Sequence, residues 1–401
     1  MIKKLYKHKG WIAAETQYLF QRVRVKLSVD SSKRFFCHRC GRRGHIHSLR
    51  TISITDLPCI GNDVEISLET PQIRCSKCGH YHTVRPDFVH PTMGFTWRFM
   101  FFISSLLVYV PARKLAMMFH LAPTTVLRID KAVLREELPT PDFDHLEGIL
   151  VDEKYLGPSH GFITLVLNAR TGEPLHIAKG KDGTALEAFF NKLTDKQKRS
   201  IKYLGIDRAN AYRAATAKHL PWVKVCYDAY HLVSNMNAVV DKVRRAEFAH
   251  PTETERRLVS GQRYHLLSAK KNLDDDAKVQ LAQLLAVNRN LNITYILKEQ
   301  FRNVLAQSTE NAALWHLIRW IKLAVDSGVN QLVKFAENIV DDFNEVINGI
   351  RYSINSGKIE SANAGINRIQ CRCCGLFDID YLFMKMRQIY LTRQYPYLQR
   401  I

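Results

Sequence analysis

Apolar residues along this chain recur with different spacings in different stretches, and each spacing predicts a different kind of element. Between residues 95 and 137 they return every three or four positions: Ala112, Leu115, Ala116 and Phe119, then a break, then Val126 and Ile129. That period puts them on one stripe of two helices joined by a tight turn. Pro123 suits the first turn of the second helix, where the N–H it lacks would have no intrahelical partner. From Gly148 the spacing shortens. Ile149–Val151, Gly161–Asn168 and Leu175–Ala178 are strand-like runs, the last two separated by the turn Arg170-Thr-Gly-Glu173. A helix is predicted over Thr184–Leu193, followed by a strand at Ile201–Ile206, a polar helical segment, and a strand at Trp222–Cys226. From about Leu232 to Ile350 only Pro251 interrupts stretches of helical spacing, so that block is expected to be all-helical.

Three of the predicted strands run into aspartate: Asp152 within Gly148-Ile-Leu-Val-Asp-Glu153, Asp207 after Leu204-Gly-Ile, and Asp228 after Val225-Cys-Tyr. An aspartate there has two readings. It caps the next helix, or it points into the crevice at the strand ends where ligands of open α/β sheets bind. For one such residue capping is the simpler reading; three in this order favour a shared site. Further on, Ser356 and Gly357 punctuate a helix start, and Glu360, Asn363 and Asn367 then fall on one face. A stripe of Glu and Asn is the form a metal ligand with supporting groups takes.

Charge narrows the partners. The 401 residues carry a net charge of +20. Residues 1–50 hold 13 Lys or Arg against Glu15 and Asp30, which is +11 of that total. Such an excess fits a polyanion, and nucleic acid fits better than a membrane because no long amphipathic basic anchor is evident. The longest apolar run, Phe99–Pro111, is too short to span a bilayer. The basic start lacks the apolar core of a signal peptide, so a cytoplasmic protein is expected.

The cysteines add a metal. Cys37-His-Arg-Cys40-Gly41 and Cys75-Ser-Lys-Cys78-Gly79 are two knuckles, each able to turn two thiolates onto one ion. Four sulfur ligands close a tetrahedral shell, so the expected Zn²⁺ is structural, in a zinc ribbon with a hairpin over Leu49–Ile54 and Val64–Leu68. Arg39, Arg42 and Arg43 beside the first knuckle suit phosphate contacts. If the two helices after residue 111 read DNA, Thr124, Thr125, Arg128 and Lys131 would face the major groove or its phosphates; an ordinary helical hairpin is the alternative. His45-Ile-His47 and His80-Tyr-His82 have the spacing of a nuclease metal motif, but next to the knuckles they read as surface histidines or as groups supporting the metal ligands. Cys371, Cys373 and Cys374 read as packed thiols. Residues 1–30 are basic and without clear punctuation.

In order and over nearly the whole chain, these features resemble the DDE transposases of the ISL3 group of bacterial insertion sequences. The residues that carry the resemblance are Gly148-Ile-Leu-Val-Asp-Glu153, Leu204-Gly-Ile-Asp207 with Tyr212, Asp228-x-x-His231 opening a helix, and Lys358-Ile-Glu-Ser-Ala-Asn363. The resemblance implies an α+β multidomain chain. Residues 1–90 would be the basic zinc-ribbon domain and 91–138 a helix-turn-helix. Residues 145–231 would begin a ribonuclease H-like core, 232–350 would be its all-helical insertion, and 351–401 would complete it. Asp152, Asp207 and Glu360 would be the triad binding Mg²⁺ (or Mn²⁺), with Asp228, His231 and Asn363 in support. Such a triad holds two ions for in-line attack on phosphate by water or a 3′-hydroxyl, with no protein nucleophile. The partners implied are the terminal inverted repeats, target DNA and at least one further protomer. Cys371-Arg-Cys-Cys-Gly-Leu departs from the group's aromatic residue before the glycine. Two alternatives stay open: a zinc-containing DNA-binding regulator needing only residues 1–137, and another ribonuclease H-like nuclease.

Overall fold

In the N-terminal part of the chain, strand alternation builds a sheet on which the knuckles stand. The computed structural model describes residues 10–59, 61–207, 210–354, 357–373 and 378–394; Ser356 and Cys374 lie outside the described residues. It divides into two compact units, one formed mainly by the chain up to Leu138, the other mainly by Pro139–Asn367.

The first unit holds β1 (Trp11–Leu19), β2 (Arg22–Val29), β3 (Phe35–Phe36), β4 (Arg43–Cys59), β5 (Asn62–Cys75) and β6 (Tyr81–Thr83). They lie in the order β1-β2-β5-β4-β3, with β6 on β5. Val23, Val25 and Leu27 of β2 and Val64, Ile66 and Leu68 of β5 are all buried. The intervening Arg24 meets Glu65 at 3.1 Å on the outer face. Residues 11–29, unpunctuated as sequence, are therefore two sheet strands. In β2 the period of two is masked by the basic outer positions, β1 buries only Trp11 and so offers little alternation, and the turn at Phe20-Gln21 lacks Gly or Pro. The predicted hairpin is present but much longer, with β4 spanning 17 residues.

Helices Trp97–Leu107, Ala112–Met118 and Pro123–Glu137 follow. Ala112, Leu115, Ala116, Val126 and Ile129 are buried together with Phe99, Met100 and Ile103. Pro123 occupies the first turn of its helix. Thr124 and Arg128 are exposed, and Thr125 and Lys131 are half-buried.

The second unit holds β7 (Gly148–Tyr155), β8 (Phe162–Asn168), β9 (Pro174–Lys179), β10 (Tyr203–Ile206) and β11 (Lys224–Tyr227), in the order β11-β10-β7-β8-β9. The strands β11, β10 and β7 run parallel, while β8 and β9 alternate in direction. Between Ala229 and Arg351 every described element is helical. The sheet and these helices share one continuous core that runs from Ile149 and Leu204 to Trp320 and Phe335. Helix Phe343–Arg351 lies flush on β11 at Gly349, where a Cβ would come within 2.1 Å of the Tyr227 carbonyl oxygen. Among the described residues no helix is long and apolar enough to cross a membrane.

One core group makes stability depend on pH. His176 on β9 is 7 % exposed, and burial, reinforced by the charge of Lys192, pushes its imidazole down to about 4. Between that value and the ordinary one near 6.5, the unfolded chain binds a proton that the folded chain refuses, so this contribution is whole above pH 6.5 and lost as pH falls towards 4. Denaturant unfolding at pH 7 and pH 4.5 should show an acid loss about 3 kcal/mol larger in the wild type than in His176→Leu. Equal losses would show that His176 does not titrate this way.

Candidate active site and metal centre

The two CxxC segments adopt the same local geometry. The Cys37 N–H donates to the Arg42 carbonyl at 2.8 Å and the Cys75 N–H to the His80 carbonyl at 3.0 Å. Gly41 and Gly79 take φ of +68° and +67°, the left-handed turn that glycine adopts without strain. The four sulfur atoms lie within 4.8 Å of one another, with Cys37 and Cys78 3.8 Å apart and Cys40 and Cys75 3.4 Å apart. A tetrahedral zinc with Zn–S bonds of about 2.3 Å needs sulfur separations of about 3.8 Å. The cluster could therefore hold zinc with only small adjustments. Backbone N–H groups of Cys78 and Lys77 hold the Cys75 thiol down at about 6, while Cys40, against the pull of the Arg42 backbone N–H, is pushed up to about 11 by the Cys75 thiol beside it, so the first proton to leave this pair comes from Cys75. Arg39, Arg42 and Arg43 are exposed around the knuckle. The rings of His38, His80 and His82 pack against one another, the nearest pair at 4.5 Å.

In the second unit, sheet register gathers the acidic residues. Gly205 pairs with Leu150, and Ile206 with Tyr227. Continued past the strand ends, those registers set Asp207 beside Asp152 on one side and Asp228 on the other. Asp152, Asp207, Asp228 and His231 line one cleft, with Ile354 and Ile359 as its apolar wall. Asp228 is the N-cap of helix Ala229–Glu247, accepting the Tyr230 N–H at 3.0 Å. The capping role and the strand-end role thus fall on the same residue. One turn into that helix, His231 Nδ1 stands 3.5 Å from Asp207 Oδ2.

Helix Gly357–Arg372 supplies the remaining groups. Asn363 donates from Nδ2 to Asp152 Oδ2 at 2.8 Å, while its buried Oδ1 has no hydrogen-bond partner among the described residues. Lys358 Nζ donates to the Ala169 carbonyl at 2.5 Å, docking the first turn. Glu360 lies on the Asn363 face, one turn earlier and exposed. Among the described residues only the four cysteines place three or more ligand atoms within 4.8 Å of one another. Asp152, Asp207 and Glu360 therefore do not all come within that distance of one another.

Two features escape a reading of sequence pattern. Glu153 shares β7 with Asp152; burial, with the charges of Asp152 and Asp207 and against Lys181, raises its carboxyl above the usual range. Arg213, on helix Asn210–His219, donates to Tyr227 Oη at 3.1 Å, Asp342 Oδ1 at 3.0 Å and Glu345 Oε1 at 2.7 Å. These carboxylates lie 129 and 132 residues further along the chain. No periodicity could reveal that pairing, and the one sequence signal for Glu153 is its adjacency to Asp152.

Comparison with known proteins relates this chain to transposases. The ISL3 transposase family profile matches residues 149–386, more than half of the chain. The transposase for insertion sequence element IS1001 of Bordetella parapertussis is 27% identical over 361 residues, covering 89% of each chain. The transposase for insertion sequence element IS1557 of Mycobacterium tuberculosis is 24% identical over 358 residues, covering 82% of this chain and 80% of its own.

Proposed function

Because the chain belongs to the ISL3 family of transposases, we propose that it binds the terminal inverted repeats of an insertion sequence and cuts and joins DNA strands with Asp152, Asp207 and Glu360. The observation that carries this reading is the convergence of Asp207 and Asp228, at the ends of β10 and β11, with Asp152 of β7, just past the point where β7 stops pairing with β10, in a cleft walled in part by Ile359, next to Glu360. The strand order, three parallel strands flanked by two that alternate, supports a ribonuclease H-like core. We read 145–231 and 351–401 as that core, and 232–350 as its insertion.

The donor set fits a hard divalent cation. Carboxylate oxygens dominate it, and the Asn363 Oδ1, buried and without a hydrogen-bond partner among the described residues, adds a neutral oxygen. Bound by Asp152, Asp207 and Glu360, Mg²⁺ or Mn²⁺ would supply Lewis-acid activation of the phosphate and of the attacking hydroxyl. The chain's own groups set the stage for that chemistry. Asn363 holds the Asp152 carboxylate by one oxygen, leaving the other available. Asp228 fixes the start of the helix from which His231 reaches Asp207, so both act as orienting residues.

DNA contact falls to the first unit in this reading, with residues 1–90 as the zinc-bearing domain and 91–138 as a helix-turn-helix. Arg39, Arg42, Arg43, Arg128 and Lys131 would meet phosphates, and Thr124 and Thr125 would meet groove edges. Pairing of two element ends calls for at least two protomers on the DNA. Such a protein would work in the bacterial cytoplasm, on nucleoid DNA.

Competition binding at stated salt tests the first step. Element-end DNA should bind about a thousandfold or more tighter than random DNA. Arg128→Ala should lower affinity and reduce the slope of log K against log salt by about 0.9, the share of one phosphate contact. Equal binding of both DNAs would favour a nuclease without end recognition.

A further inference from the structure

We infer that Tyr212, tied to Thr164, is a positioning residue that sets Asp207 against Asp152; this rests on the carboxylate reading above. Successive residues of a strand point to opposite faces, so Asp152 and Glu153 diverge from β7. Glu153 pairs in register with Thr164 of β8, which puts those two side chains on the same face. There the Tyr212 hydroxyl lies 2.8 Å from Thr164 Oγ1. The Thr164 hydroxyl donates its one proton to the Gly180 carbonyl at 2.9 Å, so the Tyr212 hydroxyl is the donor between the two.

Its place in the chain gives this tie a consequence. Tyr212 follows Asp207 by five residues and sits in the opening turn of helix Asn210–His219, the first helix after β10. The Asp207 side chain is 51% exposed, so burial does not hold it. Tyr212 is 1% exposed and packed in the core. Anchoring its ring tip to β8 fixes the start of helix Asn210–His219, and through that helix start where the Asp207 carboxylate stands relative to Asp152. Phenylalanine would keep the packing and lose only the anchor.

The test is binding of Mn²⁺ to the full chain, followed by the loss of the free-ion paramagnetic resonance signal, with thermal unfolding and metal-dependent end cleavage alongside. Tyr212→Phe and Thr164→Val should each raise the half-saturating Mn²⁺ concentration about tenfold, as loss of an outer-shell partner does. Thr164→Ser, which keeps the hydroxyl, should bind as the wild type does. Cleavage by Tyr212→Phe should recover to within about twofold of wild type at saturating metal. Wild-type Mn²⁺ affinity in Tyr212→Phe, alongside weakened binding in Asp207→Asn, would overturn this inference alone. Wild-type affinity in Asp207→Asn would overturn the carboxylate reading and this inference with it.

Discussion

Asp152→Asn, Asp207→Asn and Glu360→Gln should each abolish cleavage of element-end DNA, by about a thousandfold or more, while leaving end binding within about twofold of wild type. Each change is nearly isosteric and removes one negative charge, so the fold and the DNA-binding unit should persist while cation affinity falls. The flanking groups separate by degree. Asn363→Ala removes the donor to Asp152 Oδ2 but no ligand charge, so it should slow cleavage by about 10- to 100-fold. Asp228 needs a subtler test because it is both N-cap and cleft residue. Asparagine caps a helix about as well as aspartate, so a loss of activity in Asp228→Asn without a loss of stability would assign it to the site. Gel assays of nicking and of end binding on the same preparations check all five variants. A triad variant that cleaves normally in Mg²⁺ would remove that residue from the triad.

Removal of zinc should have the second large effect. Structural zinc in small Cys-rich modules contributes about 10–16 kcal/mol, as much as or more than the roughly 5–15 kcal/mol that holds a typical domain folded. Cys75→Ser or strong chelation should therefore unfold the knuckles and abolish end binding. Cys59, half-buried and outside the cluster, is the control: Cys59→Ser should retain one zinc per chain. Metal analysis and circular dichroism read both outcomes. Full end binding by a zinc-free protein would contradict a structural role for the cluster.

Much of this architecture is legible in local pattern. Pro123 marks the start of its helix, Val126 and Ile129 mark its buried stripe, and the two glycines after the knuckles mark the left-handed turns. Asp207 and Asp228 stand at strand ends because their strands are short and apolar up to those residues. What stayed hidden depends on distance along the chain or on competing signals. In β2 the basic residues at the outer positions mask the Val23, Val25, Leu27 alternation that defines the strand. Arg213 finds Asp342 and Glu345 only after the helical block has folded back onto β11. The Tyr212–Thr164 contact depends on the register of β7 with β8, which no single segment specifies. Of the three C-terminal cysteines, Cys373 is packed as expected and Cys371 is exposed.

The most direct measurement is nucleotide-resolution mapping of products from linear DNA carrying the element's own ends, incubated with the full chain in Mg²⁺ or in EDTA. The predicted result is nicking at the element boundary and joined products that require Mg²⁺ and vanish in Asp207→Asn. Specific end binding with no cleavage or joining in Mg²⁺ or Mn²⁺, or cleavage that survives Asp207→Asn, would contradict it.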